Sequence, residues 1–295
     1  MAELKKYLMF LGCTIPYRVA SYEISTRKVM PKLGVELVEM PDFNCCGLPV
    51  DPANHEMTLA LSARNLCIAE QLNLPIVTLC TGCATTLRKT NKLLKEDKKL
   101  RETVNSYLKA VGMEFKGTTE AKHLVQMLKE DVGYDKIKAA VQKPLAGLTV
   151  AEHLGCHLLR PAKISGYDDP EDPHVLKELV ELTGATCLDY IDEAECCGYT
   201  VVAIDEKVSL ALAHEKLHHI KAVGAQAMVT VCPSCHLMFD MQQTRIERAF
   251  NETFNLPVLH YTQLLGLAMG FKPEELALNE LRVNPTPVLQ PYLKT

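Results

Sequence analysis

Short apolar runs alternate with longer segments of helical periodicity through the first half of the chain. The runs have the length and alternation of strands, and the longer segments place apolar residues three or four positions apart. The order β-α-β-loop-α-β-α predicts a small α/β unit with a mainly parallel sheet and functional groups at the carboxyl ends of its strands. The predicted elements are strands at residues 7–11, 35–40 and 74–79, and helices at residues 17–32, 56–72 and 83–92.

The second half repeats this order. Residues 120–131, which have apolar positions at helical spacing, and residues 132–148, with their glycines and Pro144, predict a helix and a connector between the halves. We therefore expect two α/β domains, residues 1–145 and residues 146–295, each with a small mainly parallel sheet and flanking helices. The elements predicted for the second half are strands at residues 149–154, 186–191 and 227–231, and helices at residues 174–182 and 206–223.

The cysteines follow the same repeat. Each half contains Leu-Gly-Cys after its first predicted strand, Cys-Cys-Gly in a later loop, and Cys-x-x-Cys after a further strand. Because the carboxyl ends of parallel strands meet at one edge of a sheet, the three loops of each half can converge on one site. Ten of the 12 cysteines pair in this way, at offsets of 143, 151, 151, 152 and 152 residues: Cys13 with Cys156, Cys45 with Cys196, Cys46 with Cys197, Cys80 with Cys232 and Cys83 with Cys235.

Composition limits the classes of function. With 295 residues and 47% apolar content, the chain can supply a core for each of two domains. A net charge of −4, no tryptophan and 6% aromatic residues argue against a nucleic-acid partner. No apolar run reaches the roughly 18 to 20 residues of a membrane span. The N-terminus lacks a signal-peptide pattern, so we expect a cytoplasmic protein whose reduced thiols serve metal or redox chemistry.

Two kinds of metal site suit this pattern. A Cys-x-x-Cys pair with two further thiols can form a tetrahedral zinc site. Each half, however, offers five thiols, of which two are adjacent in sequence. Because adjacent side chains generally diverge, the two adjacent thiols are better placed to ligate different metal atoms of a cluster than to ligate one ion together. The pattern therefore favours an iron–sulfur cluster, with zinc as the alternative.

The duplicated cysteine pattern resembles the cysteine-rich CCG domain family, and a chain of this length with two copies is similar to the B subunits of heterodisulfide reductases. The run Leu256-Pro257-Val258-Leu259-His260-Tyr261 and the residues up to Leu267 also resemble that protein family. The resemblance covers essentially the whole chain. It implies two non-cubane [4Fe–4S] clusters, each held by five cysteines. One cluster would be held by Cys13, Cys45, Cys46, Cys80 and Cys83, and the other by Cys156, Cys196, Cys197, Cys232 and Cys235.

The resemblance also implies a reaction and partners. The substrate would be the mixed disulfide of coenzyme M and coenzyme B, which is reduced to two thiols in methanogenesis. The sequence contains neither a four-cysteine ferredoxin run nor a Gly-x-Gly-x-x-Gly fingerprint. Electrons are therefore expected from a ferredoxin-like C subunit and a flavin-containing A subunit, in a flavin-based electron-bifurcating complex with a hydrogenase or formate dehydrogenase. An alternative is an electron-transfer subunit of a fumarate-reductase-like or glycolate- or lactate-oxidising complex.

A few further residues are candidates for the site. His157 and His236 directly follow predicted ligands and would suit proton donation, although a histidine at the start of a helix is more commonly a polar surface residue. Arg18 and Arg160 follow the first cysteine of each half and would suit an anionic substrate, although surface arginine is the simpler interpretation. The two unpaired thiols, Cys67 and Cys187, are predicted to be buried apolar residues. Residues 284–295 show no periodicity, which predicts an arm lying on a partner or a disordered end.

Overall fold

Two parallel sheets of four strands each form the centre of the computed structural model, which describes residues 4–293. The strand orders are β2-β1-β3-β4 and β6-β5-β7-β8, and every pairing is parallel. The predicted α/β class with two parallel sheets is confirmed. The strands are β1 Lys5–Phe10, β2 Val35–Val38, β3 Ile76–Thr78, β4 Ala121–His123, β5 Thr149–His153, β6 Thr186–Cys187, β7 Ala227–Thr230 and β8 Val258–His260.

Helices cover both faces of the two sheets. We call β1–β4 with their helices the first domain and β5–β8 with theirs the second domain. Among residues 4–293, no helix is both long and apolar enough to span a bilayer. The α-helices are α1 Ile15–Arg18, α2 Ala20–Val29, α3 His55–Leu72, α4 Thr81–Glu96, α5 Lys98–Leu108, α6 Leu124–Met127, α7 Tyr134–Ala140, α8 Cys156–Leu159, α9 Ala162–Ser165, α10 Val175–Glu181, α11 Glu206–Ala222, α12 Pro233–His236, α13 Gln243–Phe250, α14 Tyr261–Ala268 and α15 Thr286–Leu293. Shorter 3-10 or π turns lie at Met30–Leu33, Leu48–Val50, Lys109–Val111, Leu128–Val132, Tyr199–Val201, Leu237–Met241, Pro273–Leu276 and Leu278–Glu280.

The two long helices α3 and α11 begin with the same kind of cap. The side chain of Asn54 accepts a hydrogen bond from Met57 N at 3.0 Å, and that of Asp205 accepts one from Val208 N at 3.1 Å. Such caps satisfy backbone N–H groups that have no partner inside the helix. Each helix therefore begins at a fixed residue just after its Cys-Cys-Gly loop.

The sequence pattern does not reveal the fourth strand of each sheet. The pattern predicts a helix over residues 120–131, but Ala121–His123 pairs with β3, with Ile76 opposite Ala121, before the helix α6 begins. Val258–His260 joins β7 in the same way. A strand of three residues is too short to show a period of two, and its position depends on a distant neighbour. The predicted connector 132–148 also contains a helix, α7.

One hydrophobic core extends across both domains. It includes Tyr22 of α2 and Tyr261 of α14, both fully buried, and the two helices pack together. Ser25 Oγ and Thr262 Oγ1 lie 2.7 Å apart in this contact and form a buried hydrogen bond between the domains. Leu289 of α15 is buried in the same core. The tail from Thr286 to Leu293 is therefore a packed helix of this chain, so the expectation of a disordered end is wrong over these residues. Residues 294–295 of the predicted tail lie outside the described residues, and an arm lying on a partner stays a prediction.

Candidate metal centres

Three loops of each domain bring its thiols to the carboxyl edge of the sheet. In the first domain, Cys13 follows β1, Cys45 and Cys46 lie in the loop after β2, and Cys80 and Cys83 flank the start of α4. Most of these side chains are partly or fully buried, and only Cys13 is exposed. The second domain repeats the arrangement after β5, after β6 and at the start of α12. Its thiols are Cys156, Cys196, Cys197, Cys232 and Cys235.

The glycine of each Cys-Cys-Gly sequence is required by the backbone. Gly47 has φ +93°, and a Cβ there would lie 3.0 Å from both Cα and O of Thr58 in α3. The Thr58 hydroxyl donates to Gly47 O at 3.1 Å, and Gly47 N donates to Cys45 Sγ at 3.5 Å. A left-handed glycine thus lets the loop approach the helix and turns a backbone N–H toward the first thiol.

Gly198 makes the same turn in the second domain. Its φ is +81°, and a Cβ there would lie 2.7 Å from the carbonyl oxygen of Ser209 in α11. Ser209 Oγ donates to Gly198 O at 2.8 Å, and Gly198 N donates to Cys196 Sγ at 3.4 Å. Two loops of different sequence therefore adopt one conformation, which explains the repeated motif physically.

The thiols of the first domain contact one another in series. Cys46 accepts hydrogen bonds from Cys45 and Cys83, which lowers its pKa, and the same contacts raise the pKa of its two partners. Cys80 and Cys83 are also paired. Of the five thiols, Cys13 is the exposed one and lies near Cys45. The thiols thus form a row of neighbouring sulfur donors at this edge of the sheet.

The second domain contains the equivalent series. Cys196 accepts hydrogen bonds from Cys156 and Cys197, and these lower its pKa. Cys235 links Cys197 to Cys232, and its own pKa is raised by these two neighbours. The five thiols are therefore gathered into one group, as in the first domain.

The two groups of thiols meet at the boundary between the domains. Cys80 of the first group lies against Cys232 of the second, and this contact raises the pKa of Cys80. Beside them, the hydroxyl of Tyr22 and the ring of His123 both lie 3.2 Å from Val231 O and fix the strand end that leads to Cys232. The structure thus joins two sites that the sequence leaves separate.

This donor set fits a sulfur-ligated metal cluster. Five thiolates in a largely buried group repel one another, so their joint ionisation requires bound cations. Thiolates are soft ligands that suit iron–sulfur clusters and zinc, and a chain of neighbouring sulfurs offers separate ligands to several metal atoms. The cysteines of each group would hold such a cluster, and the Gly47 and Gly198 turns position the adjacent pair within it.

Sequence reasoning missed a histidine that faces the second group. His153 ends β5, is fully buried, and places a ring nitrogen within 4.8 Å of both Cys197 Sγ and Cys235 Sγ. Burial lowers its pKa to about 3, and the nearby Lys216 ammonium acts in the same direction. A signal was available in the sequence, because His153 stands three residues before Cys156 at the end of a predicted strand.

Lys216 of α11 is a second residue that sequence reasoning missed. It is fully buried, its ammonium donates to the carbonyl oxygens of Asp192 and Glu193, and it lies 5.0 Å from the ring centroid of Tyr190. The lysine therefore anchors the loop that carries Cys196. Burial lowers its pKa, although Asp192 opposes this effect.

The first domain anchors its loop without a charge. Asn65 lies 151 residues before Lys216 and has the same place on helix α3. Its side chain accepts from Asn44 N at 3.0 Å and donates to the carbonyl oxygens of Asn44 and Cys45, each at 3.3 Å. The two halves thus hold equivalent loops by different chemistry.

A pair of carboxyl groups lies beneath the second group of thiols. Glu152 is fully buried, and burial raises its pKa well above the ordinary value, with Glu193 as the next cause. The pKa of Glu193 is also raised, first by burial. Two neighbouring buried carboxyl groups cannot both ionise readily, so burial and mutual repulsion favour the protonated form of Glu152.

The candidate substrate residues lie in different environments. Arg18 is exposed on α1, and His157 is half-buried, with its backbone oxygen accepting from the Thr85 hydroxyl. The Arg160 guanidinium donates to Ala194 O at 3.2 Å and to Pro170 O at 3.1 Å. His236 is buried, with Nε2 3.1 Å from Val258 O and its ring stacked on His260. This placement gives Arg160 and His236 side-chain contacts within the chain, and of the four residues only Arg18 is exposed.

The two cysteines without a counterpart in the other half lie outside the two thiol groups. Cys67 is buried in α3, and burial raises its pKa to about 12. Cys187 is buried in β6, and burial likewise raises its pKa. A thiol with a raised pKa stays protonated and behaves as a small apolar side chain.

The chain matches known proteins over nearly its whole length. The family model described as "Cysteine-rich domain" (CCG) matches residues 7–88 and 150–240. A relative from Methanosarcina acetivorans, the B subunit of a ferredoxin- and F420H2-dependent CoB-CoM heterodisulfide reductase, is 39% identical over 94% of this chain and 93% of its own. A Wolinella succinogenes protein, "8-methylmenaquinol:fumarate reductase membrane anchor subunit", is 32% identical over 96% and 98%.

A solved structure supports the fold alone. The "hypothetical protein from Helicobacter pylori" superposes with a TM-score of 0.78 at 15% identity, covering 95% of this chain and 52% of that one. The family model and the relatives agree with the duplicated cysteine loops described above. The chain therefore belongs to the cysteine-rich CCG domain family, in the two-copy form found in the B subunits of heterodisulfide reductases.

Proposed function

We propose that this chain is the catalytic subunit of a heterodisulfide reductase, an oxidoreductase that reduces the coenzyme M–coenzyme B mixed disulfide to its two thiols. Two non-cubane [4Fe–4S] clusters would serve the reaction. Five cysteines of each domain would hold one cluster, since these are the side chains that the three loops bring together. The relatives that are B subunits of heterodisulfide reductases support the reaction class.

The close approach of the cysteine loops at the domain boundary is the observation that carries the proposal. A Cβ built on Gly155, beside Cys156, would lie 3.3 Å from Thr81, beside Cys80, and 3.4 Å from Cys232. A single sulfur–sulfur bond is short, so it can be served by two centres only if both lie beside one place. The two thiol groups adjoin at the domain boundary, and buried contacts such as Ser25 with Thr262 hold the domains together. A substrate at this boundary would lie within reach of both.

The reaction requires two electrons and two protons. The disulfide RS–SR′ takes up both electrons as its S–S bond breaks, and each sulfur then takes one proton to give RSH and R′SH. Bound clusters would supply the electrons singly. The chain itself would position the substrate: the exposed Arg18 would attract an anionic group, and the half-buried His157 would donate a proton to a departing thiolate.

The electrons would come from partner proteins. We propose a ferredoxin-like C subunit as the direct donor, a flavin-containing A subunit that supplies it, and a hydrogenase or formate dehydrogenase as the source. The name of the M. acetivorans relative describes its enzyme as dependent on ferredoxin and F420H2, which supports a donor outside this chain.

Metal analysis followed by a substrate titration tests the proposal. The chain, purified without oxygen, is expected to contain about eight irons and eight labile sulfides. Adding the coenzyme M–coenzyme B disulfide to the reduced protein should then change the electron paramagnetic resonance (EPR) signals of both clusters. Stoichiometric zinc without labile sulfide would reject the cluster assignment. EPR signals that do not change when the disulfide is added would reject the proposed reaction.

A second candidate function rests on the W. succinogenes relative, whose name places it in a fumarate reductase. A chain of that kind would pass electrons between partners and would not cleave a disulfide. The same titration distinguishes the two functions, because an electron carrier would keep its signals when the disulfide is added. A matched test with a quinone analogue would then change the signal of one cluster only.

A further inference from the structure

The two thiol groups differ at the residue three positions before their first cysteine. His153 precedes Cys156, and Phe10 precedes Cys13, each at the end of the first strand of its sheet. Both side chains are fully buried. The equivalent position therefore has a hydrogen-bonding ring in the second domain and an apolar ring in the first.

His153 is directed at the second group of thiols. A ring nitrogen lies within 4.8 Å of both Cys197 Sγ and Cys235 Sγ. The His153 and Phe239 rings form a T-shaped contact, with centroids 5.4 Å apart and ring planes at 83°. Within residues 4–293, neither ring nitrogen of His153 meets hydrogen-bond geometry with a partner, although the Glu193 backbone lies close enough to act on its pKa. Leaving a buried N–H without an acceptor costs about 1–3 kcal/mol, so the position calls for an acceptor that arrives with the ligand.

Phe10 occupies the corresponding place in the first domain. It packs against Phe43 with ring centroids 5.1 Å apart. A Cβ built on Gly12 would lie 3.8 Å from the Phe10 ring and 3.0 Å from Cys83 Sγ, so ring and thiol border the same small space. A phenyl ring offers no N–H donor, and the first group thus lacks the contact available to the second.

We infer that His153 donates an N–H···S hydrogen bond to the sulfur of the second cluster or its ligands Cys197 and Cys235, and thereby raises the reduction potential of that cluster above that of the first. The inference rests on the clusters of the proposed function. Reduction adds negative charge to a cluster, and a hydrogen bond to its sulfur stabilises that charge. The second cluster is then the one reduced first.

Histidine substitution combined with redox titration tests this role. In His153→Phe, which copies the first domain, the potential of one cluster should fall while that of the other stays. Loss of one charge-assisted hydrogen bond corresponds to about a tenfold change in the reduction equilibrium, or about 59 mV for one electron. His153→Gln retains an N–H donor and should keep most of the potential. Phe10→Leu, at the equivalent apolar position, should shift neither cluster.

A spectroscopic measurement identifies the contact independently. Wild-type protein grown with 15N-histidine should show a weak nitrogen coupling to one reduced cluster in pulsed EPR, and His153→Phe should lose it. Intact clusters with unchanged potentials, or no nitrogen coupling in the wild type, would overturn the inference and leave the proposed function standing. A strong coupling would show direct ligation by nitrogen, which also overturns the hydrogen bond. A wild-type protein without clusters would reject the proposed function itself.

Discussion

The turn at Gly198 gives the most direct test of how the cysteine loops are built. An alanine there meets two obstacles. Its φ of +81° is a left-handed conformation, which costs an L-residue about 1–2 kcal/mol. Its Cβ would also lie 2.7 Å from the carbonyl oxygen of Ser209, an atom of the helix α11 backbone that cannot rotate away. Overpacking of this kind costs about 1–3 kcal/mol.

Gly224→Ala is the matched control. Gly224 has nearly the same conformation, with φ +80°, but no atom lies within 4 Å of an added Cβ. Gly224→Ala should therefore lower the free energy of unfolding by the backbone cost alone, about 1–2 kcal/mol, whereas Gly198→Ala should lower it by about 2–5 kcal/mol. At about 3 °C per kcal/mol for a chain of this size, the melting temperature should fall by about 3–6 °C in the control and about 6–15 °C in Gly198→Ala.

Iron content should separate the two variants further. Since Gly198 N bonds Cys196 Sγ and the turn positions the adjacent thiols, Gly198→Ala should lose the second cluster and about half of the iron. The control should keep all of it. Equal melting temperatures and full iron in both variants would refute the claim that the close approach to α11 shapes the site.

The remaining predictions address ligands, protonation and the loop anchor. Cys197→Ser should halve the iron content, because a hydroxyl replaces a soft thiolate poorly, whereas Cys187→Ala should leave iron unchanged; equal losses would show that the ligands are misassigned. Glu152→Gln should leave stability unchanged near pH 4 and raise it relative to the wild type at pH 8: the raised pKa of Glu152 gives stability that is present below the unfolded pKa and lost as pH rises. Urea unfolding at both pH values measures this, and a variant less stable than the wild type at pH 8 would contradict it. Lys216→Met should destabilise the chain by about 1–3 kcal/mol and reduce iron at the second site, because it leaves the carbonyl oxygens of Asp192 and Glu193 without their buried donor; an unchanged melting temperature would contradict this.

Much of the fold could be predicted from the sequence because its strands are apolar runs that end at cysteine loops. The strands at β1, β3, β5 and β7 coincide with such runs, and the helices α3 and α11 begin within one residue of their predicted starts at residues 56 and 206. The sequence does not predict β4 and β8 for a physical reason. A strand of three residues, such as Val258–His260, is too short to show an alternation of apolar and polar positions, and its pairing with β7 is a long-range contact.

The candidate site could likewise be predicted only in part from the sequence. The grouping of five thiols within each domain follows from local order, since each thiol follows a strand or its loop. The meeting of Cys80 with Cys232 does not, because it depends on how α2 packs against α14 across the domain boundary. The place of His153 three residues before Cys156 is a signal in the sequence, but its proximity to Lys216 and to the thiols appears only after folding.

The two domains share one backbone arrangement but surround it with different chemistry. Lys216 stands where the first domain has Asn65, and both side chains hold the Cys-Cys-Gly loop. Charge and hydrogen bonding near the second group therefore changed without altering the turn that presents the thiols. A mixed disulfide has two unlike halves, so two equivalent centres would treat both sulfurs alike. Two similar frames with unequal surroundings can give the two centres different reduction potentials and different proton donors, and such a difference suits a substrate with two unlike sulfurs.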